Sequence, residues 1–135
     1  QDHAASGHWP VPPVAADFRA HAGPVLVTVE YRIEAPGREL FLALMQDLGQ
    51  RRRRDGAVAW GLVEDTEIAG EFLEYFLVGS WLEHLHQHER VTRDEQRLQN
   101  ALRTLHRGTM PPRVRHFVGA RLDLPSAPPP HSGDS

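Results

Sequence analysis

Hydrophobic and polar positions alternate cleanly at the start of the folded region. Val25, Val27, Val29, Tyr31 and Ile33 form an apolar set, while Leu26, Thr28, Glu30 and Arg32 form a mixed one. Period two of this kind predicts a strand with one covered face. Pro36-Gly37 ends it. Leu40, Phe41, Leu44, Met45 and Leu48 then recur at helical spacing, with Gln46 and Asp47 off the stripe, predicting a helix over about 38–53. That helix closes on Arg51-Arg52-Arg53-Arg54 and Asp55-Gly56, cations and a glycine that suit a helix C-terminus. A second strand over 57–64, centred on Trp60, and a third over 71–78 flank a turn-rich connection and read as a hairpin. In the third, Phe72, Glu74, Phe76 and Val78 share one face and Leu73, Tyr75 and Leu77 the other, so both faces require cover.

Ser80 and Glu83 stand at capping-box spacing, which predicts a switch from strand to a short helix over 81–90 carrying Trp81, His84, His86 and His88. Thr92 and Glu95 repeat the spacing, and the helix they open runs to about 107 with Leu98, Ala101, Leu102 and Leu105 inward. Gly108 and Met110-Pro111-Pro112 end it. In a last strand over 114–122, Val114, His116, Val118, Ala120 and Leu122 alternate with Arg113, Arg115, Phe117 and Arg121. The order β-α-β-β-α-β predicts an α+β, ferredoxin-like fold: a four-stranded antiparallel sheet with its helices on one face. Leu26, Leu73, Tyr75, Leu77 and Phe117 fall on the other face. The simplest cover for them is a second copy of the same sheet, in a homodimer.

Composition sets the limits of this domain. Residues 1–23, with Trp9-Pro10-Val11-Pro12-Pro13, read as a linker; 24–123 form the domain; 124–135 are a Pro-rich tail unable to build a core. The opening Gln1-Asp2-His3 is expected of a piece of a longer protein. With no cysteine among 135 residues, disulfides and thiolate metal sites are excluded. A net charge of -3 gives no basic field, and no aromatic-basic stripe appears, so nucleic acid is not an expected partner. No apolar run reaches the length of a membrane span, and no signal peptide is expected. All 15 basic residues are arginine, which reads as coding bias.

Several stretches resemble one group of proteins. They are Val27-Thr28-Val29-Glu30-Tyr31-Arg32-Ile33, Arg54-Asp55-Gly56-Ala57, Trp60-Gly61-Leu62, the run Glu74 to Leu85, Gln87-His88-Glu89-Arg90-Val91-Thr92 and Pro112-Arg113-Val114-Arg115-His116. The group is the C-terminal domain of major facilitator transporters of the transmembrane secretion effector type, relatives of the enterobactin exporter. His8-Trp9-Pro10 resembles the linker after their last membrane helix. The resemblance implies a transporter parent with twelve membrane helices and a C-terminus on the cytoplasmic side of the inner membrane. It also implies a fold similar to the antibiotic biosynthesis monooxygenases, a dimeric α+β barrel.

The candidate chemistry is sparse. His84 and His88 are four apart on one helical face, a usable spacing for two metal ligands, with Glu89, His106 or His116 able to reach from elsewhere. Two ligands make a weak site, so a solvated histidine face is the preferred reading and no metal is expected. Monooxygenases of this fold, including haem-degrading members, set an asparagine, a tryptophan and a histidine around a pocket between helices and sheet. Trp81 and the following histidines match two of these, but the first strand carries Thr28, Glu30 and Arg32, and the asparagine is missing. No catalytic residue and no cofactor are therefore expected. A ligand pocket would be lined by Trp60, Tyr75, Trp81, His84 and His88. Arg51, Arg52, Arg53 and Arg54 could meet anionic headgroups, at about 1 kcal/mol each, although a solvated helix end is the simpler reading. The sequence thus points to an accessory or dimerisation domain of a permease. A small oxygenase using Trp81, His84 and His88 is the alternative, and a small-ligand-sensing module a third reading.

Overall fold

The alternation of the first strand decides the architecture. In the computed structural model, which describes residues 23–80, 82, 84 and 92–120, Val25–Arg32 forms β1. Arg38–Arg54 is α1, Ala59–Glu64 is β2, Glu71–Val78 is β3, Arg93–Leu105 is α2 and Arg113–Val118 is β4. The sheet is antiparallel in the order β2-β3-β1-β4, and a single 3-10 turn, Ala35–Gly37, leads into α1. This is the expected ferredoxin-like α+β fold. The readings on 1–22, 81, 83, 85–91 and 121–135, including Glu83 of the first capping box, lie outside the described residues.

Val29 and Tyr31 turn under the helices and cluster with Phe41, Met45, Leu48, Phe72, Leu98 and Leu102, while Val25 and Val27 form a second cluster with Ala57, Phe76 and Val78; Trp60 and Val114 pack against both. α2 is opened by Thr92, whose Oγ1 accepts the Glu95 N–H at 3.1 Å, the bond its spacing predicts. Its end differs from the expectation. His106 leaves the helix with extended backbone and bridges Ile33, so α2 stops at Leu105 and not near 107. The stripe of α1 also needs one correction. The buried line runs Phe41, Met45, Leu48, Arg52, steps of three and four, and leaves Leu40 54% exposed at its margin.

Register places every strand residue on a face. Trp60 lies opposite Phe76, Phe76 opposite Val27, and Val27 opposite His116, forming one row beneath the helices. On the far face, Ala59, Leu77, Leu26 and Phe117 form the corresponding apolar row. Among the described residues that face carries no helix, as expected, and it also holds Leu73 and Tyr75.

Candidate functional site

Glu74 sits on the same face of β3 as Phe72, Phe76 and Val78, and it is 0% exposed. A carboxylate among aromatic rings is tolerated only when its charge and lone pairs are matched. α1 and β2 supply that match. The Arg52 guanidinium reaches both carboxylate oxygens, Nε to Oε2 at 2.8 Å and Nη2 to Oε1 at 3.1 Å. The Trp60 Nε1–H donates to Oε2 at 2.9 Å. Arg52 also lies over the Phe76 ring, 4.3 Å from its centroid, so its plane is covered as well as its edge. Gly49 on α1 is what lets the indole in: a β-carbon there would stand 2.8 Å from three atoms of the Trp60 ring. Near this group, burial and the Glu74 charge push the Tyr31 hydroxyl well above the ordinary phenol range, so it stays neutral in the core.

Further along the row, His116 of β4 meets His84, which follows β3. Their Nε2 atoms are 3.0 Å apart, their ring centroids 4.8 Å apart, and His84 is 2% exposed. One ring donates and the other accepts, so the accepting ring carries no proton on Nε2. The His84 N–H bonds the Ser80 carbonyl at 3.1 Å, which anchors the segment to the end of β3.

A second locus lies on the helix-free face, where an open cleft of about 570 Å³ is lined by Glu30, Arg32, Leu73, His106, Met110 and Arg113 among others. Its rim is tied by ion pairs. Arg32 meets Glu71 at 3.0 Å, and Arg38 holds Glu64 at 2.7 and 2.6 Å while the Gly70 N–H donates to the same carboxylate at 2.9 Å. Arg38 and the Gly70 amide hold the Glu64 carboxyl down at about 2. His106 Nδ1 accepts the Arg32 N–H at 3.0 Å, and its Nε2–H donates to the Met110 carbonyl at 3.1 Å. Burial, together with the nearby Arg32 charge, lowers its pKa.

These positions divide the lining expected from sequence. Trp60 and His84 lie under the helices, whereas Tyr75 stands on the opposite face, its ring across Gly61. They do not share one pocket, because adjacent strand positions point to opposite sides of a sheet. Trp81 and His88 lie outside the described residues. The arginine run is divided in the same way. Arg52 is buried on Glu74 and Arg51 is held by Asp47 at 3.1 Å and Asp94 at 2.6 Å, leaving Arg53 and Arg54 exposed. The Arg52–Glu74 pair was missed from sequence. Its signal was a glutamate on a strand face otherwise made of Phe72, Phe76 and Val78, a charge that demands a buried partner.

Among the described residues, no helix is long and apolar enough to cross a membrane. The fold is similar to several solved structures. A conserved protein from Methanosarcina mazei Go1 has 12% identity and a TM-score of 0.63, the match covering 75% of this chain and 96% of that one. An antibiotic biosynthesis monooxygenase has 18% identity and a TM-score of 0.60, covering 72% and 99%. A Mycobacterium tuberculosis protein has 23% identity and a TM-score of 0.59, covering 77% and 100%. At these identities the likeness establishes the fold alone. No curated protein matches the chain. The model of the transmembrane secretion effector family matches residues 1–123, and the chain belongs to that family.

Proposed function

We propose that this chain is a non-catalytic accessory and dimerisation domain of a major facilitator permease. It would lie on the cytoplasmic face of the inner membrane, beside a transmembrane region that exports small molecules. The observation that carries this reading is the family match, which runs from residue 1 through the whole folded region. In this reading 1–23 is the linker from the last membrane helix, 24–123 the domain and 124–135 a tail. The pairing of the buried carboxylate supports a non-catalytic role. Glu74, the charged group deepest under the helices, is fully buried and already accepts from Arg52 and Trp60. The helix-free face, with Leu26, Leu73, Tyr75, Leu77 and Phe117, supports pairing with a second copy.

The second reading is a small oxygenase. It is favoured by the likeness to an antibiotic biosynthesis monooxygenase and by a buried histidine, His84, on the helix side of the sheet. Its candidate residues would be Trp81, His84 and His88. An immunoblot of fractionated cells, probed with antibody to this domain, separates the two. A membrane-fraction band several times the 15.2 kDa of this chain supports the permease. A band near that mass in the soluble fraction overturns it and brings the oxygenase forward.

A further inference from the structure

We propose that His84 and His116 form a two-histidine site for a borderline divalent transition-metal ion of the zinc, copper and nickel class. The two Nε2 atoms converge to 3.0 Å from segments 32 positions apart in the chain. Two imidazole nitrogens on a tetrahedral ion, each bonded at about 2.0–2.1 Å, stand roughly 3.3 Å apart. An opening of a few tenths of an ångström, a tilt of each ring toward the ion and a shift of the shared Nε2 proton to that ring's Nδ1 or to solvent convert the hydrogen bond into a shared metal. Imidazole suits zinc, copper and nickel, whereas magnesium, calcium and manganese favour oxygen donors.

The ligands are positioned before metal arrives. Pairing with Val27 fixes His116 on the helix face of β4, and His84 is 2% exposed. Little side-chain freedom remains to be lost on binding. Arg52 of α1, which stacks on Phe76 of the same row as His116, is matched by Glu74. Among the described residues, no group of three or more histidines and carboxylates can hold a metal. The remaining coordination positions therefore fall to water or to an added small ligand, which makes the site open. Protons compete for the same nitrogen lone pairs, so acidification weakens binding.

Copper(II) titrated into the purified chain, followed by calorimetry and electron paramagnetic resonance, tests the proposal. The chain has nine histidines, so variants decide which ones bind. The expected result is one equivalent of copper with nitrogen splitting from imidazole. His116→Gln and His84→Gln should each weaken it on the order of tenfold or more. His116 lies on an edge strand and is half-buried, so His116→Gln should keep the circular dichroism and metal-free melting of the parent. It decides the question alone if His84→Gln does not fold. Copper affinity and splitting unchanged in His116→Gln would overturn the proposal, as would the absence of stoichiometric binding by the parent chain.

Discussion

Arg52 Nε lies 2.8 Å from Glu74 Oε2, and the two side chains are 5% and 0% exposed. A charge pair this deep is costly to half-dismantle, because the remaining ion is left without solvent or partner. Arg52→Ala or Glu74→Ala is expected to destabilise the chain by about 3–5 kcal/mol. The apolar pair Arg52→Met with Glu74→Leu should cost far less than the sum of the singles. Trp60 would then lose its acceptor, so adding Trp60→Phe should recover stability in that background and reduce it in the parent. Urea unfolding of Arg52→Met, Glu74→Leu and their double reads out this double-mutant cycle. Additive single effects would contradict the buried pair.

Two glycines in contact with aromatic rings separate a fixed neighbour from a movable one. A β-carbon on Gly49 would meet the Trp60 ring at 2.8 Å, and that ring is pinned by its bond to Glu74. A helix-interior alanine normally gains up to about 1 kcal/mol over glycine. At this position the clash should reverse the sign, with a net loss of about 1–3 kcal/mol. A β-carbon on Gly61 would meet the far end of the Tyr75 ring at 2.3 Å, on the helix-free face where the ring of an unpaired chain can swing aside. Gly61→Ala should therefore cost less than Gly49→Ala, and thermal melts of the two variants test the order.

The strands and α2 were legible because their signals are local. Alternation along Val25 to Ile33 needs no distant partner, and the Thr92–Glu95 spacing dictates its own hydrogen bond. The site was less legible because its parts belong together only in space. Arg52 stands in a run of four arginines that reads as a solvated helix end, yet position 52 continues the buried line of Phe41, Met45 and Leu48. His116 was visible as an inward position, but its partner His84 lies 32 residues away, and no spacing rule links them. Tyr75 was correctly set on the face opposite Phe76; grouping it with Trp60 in one pocket ignored that alternation.

His106 gives the domain a pH dependence of known sign. The neutral ring is the form that accepts the Arg32 N–H, and its folded pKa is lowered by burial. The stability it contributes is therefore present above the ordinary value of 6.5 and lost as pH falls below it. Glu64 acts lower on the scale: its carboxyl is held down at about 2, so its contribution is lost as pH falls from 4.5 towards 2. Melting temperature against pH should show two acid-side declines. His106→Asn should flatten the upper one and lower stability at alkaline pH, where the lost ring bonds matter. Arg38→Gln should reduce the lower one. An unchanged slope below 6.5 in His106→Asn would assign that decline to another histidine.

Pairing of two chains through the helix-free face predicts where a single charge should matter most. Leu77 sits in the row Ala59, Leu77, Leu26, Phe117, which is apolar across all four strands. At the other end, by contrast, Leu73 lies opposite Glu30, and Glu30 lies opposite Arg113. A carboxylate placed at Leu77 would be buried against the partner's apolar row, at a cost beyond what a modest interface can offset. Sedimentation equilibrium should give about twice 15.2 kDa for the parent chain and about 15.2 kDa for Leu77→Glu. Leu40→Glu, which alters an apolar side chain on α1 that is 54% exposed, should leave the parent mass unchanged. If Leu40→Glu disrupts association and Leu77→Glu does not, the chains pair through their helices. If the parent sediments as a single chain, the helix-free face is covered by something other than a second copy.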